Sequence, residues 1–176
     1  MSDEKFGYMF EGPARQYVAH IRKQLYRFNS HFVDIYSGFE TYEFHSLSKK
    51  NDQFIFELGR VYLKPGDNIK ELKQAGVDFP LTFKDGSILS ISQTFEEEKK
   101  SCWIKKSVIA FNKVIDDRVQ YTFHYDIEHG VINHPDYHLQ FDYDNSIKTP
   151  RFDIGVYQSI EDILQMIIRD NLLDND

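Results

Sequence analysis

The stretch FPLTFKDGSILSISQTF, residues 79–95, constrains the fold more than any other part of the chain. Two runs of alternating apolar and polar residues flank Asp85-Gly86, a dipeptide that favours a two-residue type I′ hairpin turn. Alternation is the period of a strand, so the stretch predicts antiparallel pairing of its two arms. The next two runs repeat the pattern. CWIKKSVIAFNKV (102–114) and RVQYTFHYDIE (118–128) predict a second pair turned at Asp116-Asp117, and YHLQFDYD (137–144) predicts a last strand. DQFIFELGRVYL (52–63) is a further strand with room for a bulge at Gly59, and FVDIYSGFETYEFHSL (32–47) has the aromatic and β-branched content of extended chain, broken at Gly38.

Helical spacing occupies the two ends. Tyr17, Val18, Ile21, Leu25 and Phe28 make one apolar stripe over residues 13–28, opened by Pro13. Ile160, Ile163, Leu164, Ile167 and Ile168 make a wider one over 159–172, with Ser159 and Asp162 placed to cap it. A short helix over 65–76 ends at Gly76. The predicted fold class is therefore α+β: one domain over 1–176, with a mostly antiparallel meander and the N-terminal and C-terminal helices packed on one of its faces.

Composition narrows the function classes. Hydrophobic residues are 41% and aromatics 15% of 176, enough for a packed core. No apolar run approaches the ~18 residues of a membrane span, and the first residues lack the apolar segment of a secretory signal. The single cysteine, Cys102, rules out an intrachain disulfide and suits a reducing cytoplasm. A net charge of −7 is not the footprint of a general DNA binder, so nucleic acid enters only as a substrate. It suits a protein partner, and a homodimer is one form that partner takes. No P-loop, GxGxxG, GxSxG, HExxH or CxxC motif is present, and the sequence names no cofactor.

The chemistry-bearing residues concentrate in FHYDIEHGVINHPDYHLQFDYD, residues 123–144, which holds four of the seven histidines. Strand alternation puts His124 and Asp126 on one face of the first run, and His138, Gln140 and Asp142 on one face of the second. If the runs pair, these five side chains meet. Such a cluster has three readings. Imidazoles and carboxylates bind zinc or a transition metal, although the spacing matches no zinc signature. A His–Asp pair serves as a general base. Or the residues are the solvated side of an ordinary sheet. Arg151, between Pro150 and Phe152, offers a bidentate fork for phosphate or carboxylate, or a salt bridge to a nearby acid. His134, in the loop between the runs, joins Gln140 and Asp142 as a candidate substrate contact.

The succession LTFKDGSILSISQTF, VQYTFHYD, NHPDYHLQF and a closing helix resembles the TumE-like proteins of bacterial toxin–antitoxin modules over about residues 79–170. The matching positions are Asp85, Gly86, Tyr125, Asp126, His134, Pro135 and His138. The chain departs from that pattern in its long N-terminal portion and in TPRFD at 149–153. The resemblance implies a bacterial or phage setting and a toxin–antitoxin or defence role. Two functions follow as expectations. One is a component of such a system that works by binding a protein. The other is a metal-dependent or His/Asp-dependent nuclease or phosphodiesterase, with His124, Asp126, His138 and Arg151 as catalytic residues.

Overall fold

A computed structural model describes residues 6–33, 47–50, 53–60 and 62–174. The extended chain expected at 32–47 lies mostly outside them. In chain order the elements are β1 (Tyr8–Phe10), α1 (Ala14–Tyr26), a 3₁₀ turn (Asn29–His31), β2 (Leu47–Lys50), β3 (Gln53–Leu58), α2 (Ile69–Gln74), β4 (Ile88–Glu98), β5 (Ser101–Ile115), β6 (Arg118–Ile127), β7 (Tyr137–Asp142), β8 (Arg151–Asp153) and α3 (Ile160–Arg169). The fold is α+β. The strands form one antiparallel sheet in the order β2-β3-β4-β5-β6-β7-β8, and β1 pairs with the start of β5, ahead of the stretch that pairs with β6.

Local side-chain caps open α2, at Asn68, and α3, at Ser159, but not α1. Ser159 and Asp162 close a reciprocal capping box at α3, and its buried residues are Ile160, Ile163, Leu164 and Ile167. Pro13 precedes α1, whose first free amide, that of Ala14, donates to Glu97 Oε1 at 2.7 Å. Tyr17, Ile21 and Leu25 of α1 enter the same core cluster as the buried α3 residues and Leu89, Ile91, Phe111 and Phe123 of the sheet.

The Asp85-Gly86 turn differs from its expected form. Gly86 has φ 87°, but Asp85 does not have the positive φ that a type I′ turn requires there. The amide of Gly86 donates to Phe83 O at 2.9 Å, and residues 79–83 make only isolated bridges to Phe32 and Ile88 instead of a full strand. Asp85 is committed elsewhere: its carboxylate accepts from Ser87 N at 2.9 Å and from Lys113 Nζ at 2.8 Å. The conformation with two positive φ values appears at Asp116 (50°) and Asp117 (61°), in the two-residue connection of β5 to β6.

Register fixes the two faces of the sheet. Leu89, Phe111, Phe123 and Phe141 are successive neighbours across four strands and belong to one face. Ser90, Ala110, His124, Gln140 and Arg151 form such a row on the other, beside a row of Ser92, Val108, Asp126, His138 and Asp153. A register shift between Lys113 and Val114 sets Val114 opposite Val119, and both join Ile88, Leu63, Ile69 and Phe79 in a second cluster. That cluster anchors the segment after β3 over the polar rows. Gly66 N donates to Val119 O, Val119 N to Asp67 O, and Asn145 Nδ2 to Pro65 O.

Candidate functional site

The two runs of the histidine-rich stretch pair as expected. His124 lies opposite Gln140, Asp126 opposite His138 and Thr122 opposite Asp142. Apolar side chains on the alternate positions, Phe123, Tyr125 and Leu139 among them, are buried in or packed against the main core, so the register cannot slip without burying charge.

The cluster is not a solvated face. The side chains of His124 and Asp126 are 16% and 12% exposed, and that of His138 is 0% exposed. Two things cover them: the segment Tyr62–Lys64, and the loop that returns from β6 to β7, which Glu128 N closes by donating to Asp136 O. Asp126 sits between the two imidazoles. His124 Nδ1 is 2.9 Å from Asp126 Oδ1, and His124 Nε2 is 3.6 Å from Asp142 Oδ2. Asp142 is itself held by Gln140 Nε2 at 3.0 Å and Thr149 Oγ1 at 2.7 Å.

These contacts set the charges. Burial pushes the His124 pKa down, but the hydrogen bond and charge of Asp126, and then those of Asp142, outweigh it and leave it raised. Burial pushes the Asp126 carboxyl up, but the hydrogen bond to His124 and the nearby imidazole of His138 leave it below the usual carboxylate range. The two carboxylates thus favour the imidazolium form of His124.

His138 is arranged differently. Its Nδ1 is 3.0 Å from Pro135 O, a group that only accepts, so Nδ1 holds a proton. Its Nε2 is 3.3 Å from Asp126 Oδ2 but out of line for a hydrogen bond, and counts as a buried nitrogen without a hydrogen-bond partner. His134 packs edge-on against His138 with ring centroids 4.3 Å apart, and its buried Nδ1 also has no partner. Burial, then the charges of His138 and Arg151, lower the pKa of His134.

Above the cluster lies a cleft of about 300 Å³. His124, Asp126, His134, Gln140, Asp142 and Arg151 all line it; His138 does not, and supports Asp126 from behind. Arg151 is exposed at the rim and makes no ion pair with a described residue. A larger hollow of about 470 Å³ runs along α3 past Tyr125 and Arg169, and brings no two histidines together. Among the described residues no group of three or more His, Cys, Asp or Glu is spaced to hold a metal ion. Cys102 is buried, and burial followed by the charge of Glu97 pushes its thiol up to about 11, an unreactive state.

Tyr62, Lys64 and Glu128 also line the cleft and were not singled out from the sequence. Strand alternation puts Glu128 on the face of His124 and Asp126, but nothing local marks Tyr62 and Lys64. Tyr62 and Lys64 arrive because Leu63, between them, is buried in the second core cluster.

Comparison with known proteins finds no matching family model, no matching curated protein and no matching solved structure. The resemblance to TumE-like proteins rests on its quoted motifs. No described helix is long and apolar enough to cross a membrane.

Proposed function

We propose that this protein is a phosphodiesterase whose acid and base are His124 and His134, working in the toxin–antitoxin or defence setting that the resemblance implies. One observation supports it above the others: a histidine held by two carboxylates, a second histidine, and an arginine with no ion pair among the described residues line one cleft. Two titratable groups whose surroundings push their pKa values apart are suited to opposite proton roles. His134, its pKa lowered, takes the proton of the attacking water. Arg151 binds the phosphate oxygens. The new O–P bond forms as the P–O bond to the leaving group breaks, and His124 Nε2–H protonates the departing oxygen. Asp126 keeps the His124 ring oriented throughout.

The test is turnover of bis(p-nitrophenyl) phosphate and of oligonucleotides by the purified chain. His124→Gln and His134→Gln should each lower kcat by about 10²–10⁴-fold. An inactive parent, or variants as fast as the parent, would overturn the reading.

We also propose a protein partner, as the same setting calls for. Phe141, Tyr143 and Phe152 are 39%, 52% and 54% exposed near the β7–β8 edge, on the face away from the cleft. Phe152→Asp should abolish capture of that partner without affecting turnover.

A further inference from the structure

The cleft does not end at Tyr62. A second hollow of about 150 Å³ lies beyond it, lined by Ser92, Thr94 and Lys106, and the two share Tyr62, Asp126 and Glu128. Together they make a groove across the strands from β8 to β4. At the usual ~4.8 Å strand spacing, five strands span roughly 19 Å, longer than a substrate with a single phosphate needs. Tyr62 stands in the middle and is 67% exposed, an aromatic ring in water with polar hollows on both sides.

The groove also offsets the charge of its surroundings. Lys64, Lys106 and Arg151 face Asp126, Glu128 and Asp142, three cations to three carboxylates in a chain of net charge −7. Two of the carboxylates are already taken up by His124. Lys106 is 4.0 Å from Glu128 and 67% exposed, a loose pair that leaves its ammonium accessible. An exposed ring flanked by separated cations is the arrangement that holds single-stranded nucleic acid, with bases stacked on aromatics and the backbone tracked by positive groups.

We propose that the substrate is a single-stranded polynucleotide laid along this groove, with a base stacked on Tyr62, the scissile phosphate at Arg151 and a distal phosphate at Lys106 and Thr94. This rests on the phosphodiesterase reading and adds the substrate class to it.

The experiment compares kcat/KM of the purified full chain for an oligomer of about twelve nucleotides, a length within the range one single-strand site covers, and for a dinucleotide. Bis(p-nitrophenyl) phosphate is the small-ester control. The parent should prefer the oligomer by about tenfold or more, in line with the loss of one stacked base. Tyr62→Ala and Lys106→Glu should each bring that preference toward unity, and Tyr62→Phe, which keeps the stacking ring, should preserve it. A parent that cleaves the small ester without preferring the oligomer, or variants that keep the full preference, overturns the polynucleotide proposal and leaves the phosphodiesterase reading standing. A parent that cleaves none of the three overturns both.

Discussion

The His138 imidazole has no exposed surface, is fixed at Nδ1 by the Pro135 carbonyl, and lies 3.3 Å from Asp126 at its other nitrogen. Removing it leaves a buried carbonyl without a donor and a void beside a charged carboxylate. His138→Ala should therefore lower the unfolding free energy by about 2–4 kcal/mol in denaturant titration. Sequence alternation puts His138 on the polar face, and the reading of that face as the solvated side of a sheet would leave the ring exposed. What overturns it is the return of the 128–136 loop and the 62–64 segment over that face. The alternation of a strand says which side a residue takes, not what covers that side. The neighbouring pair gives a pH dependence. The pKa of His124 is raised on folding, so its contribution is complete below the ordinary histidine value of ~6.5 and is lost as pH rises through the higher folded value. Asp126 is lowered, so its contribution is complete above ~3.9 and is lost as pH falls through the lower folded value. The pair stabilises most between about pH 4 and 6.5. His124→Gln should flatten the decline in stability above that window.

Among the elements, the β5–β6 turn stores the clearest local strain. Asp116 and Asp117 both adopt left-handed backbone, which costs a non-glycine residue about 1–2 kcal/mol, and the type I′ geometry favours glycine at the second position. Glycine's extra chain entropy gives back about 0.5–1 kcal/mol of this, so Asp117→Gly should raise the melting temperature by about 1–4 °C, at about 2–4 °C per kcal/mol in a domain of this size. An unchanged or lower value would mean that the Asp117 side chain holds the turn. The two aspartyl turns also explain one misplacement. Asp85-Gly86 has the better sequence signature, yet its aspartate is needed as a partner for Lys113, so the chain turns around that ion pair instead of around the dipeptide's own preference. The helix ends were legible because caps act locally: Ser159 and Asp162 need no partner outside three residues. The strands of the meander were legible for a similar reason, as each contacts the next in sequence.

At the scale of the whole molecule, what the sequence did not disclose is long-range. The Tyr62 wall of the cleft, and the closure of the C-terminal tail, join residues far apart in the chain. Lys113 Nζ is 2.8 Å from Asp85, 3.0 Å from Asp174 and 3.0 Å from the Leu172 carbonyl, which ties β5, the 83–87 turn and the end of the chain together. Lys113→Met keeps the volume but strands Asp85 beneath the surface, and should cost about 3–5 kcal/mol. Adding Asp85→Asn to it should recover a good part of that loss. The central claim concerns the cleft: two histidines share it with pKa values shifted in opposite directions, because two carboxylates hold one and burial beside His138 and Arg151 depresses the other. Titration of the imidazole ¹⁵N and ring ¹H signals of His124 and His134, assigned by single His→Gln variants, measures this directly. The account predicts a midpoint for His124 above the ordinary value of ~6.5 and one for His134 below it. Coincident midpoints, or the reverse order, would contradict it.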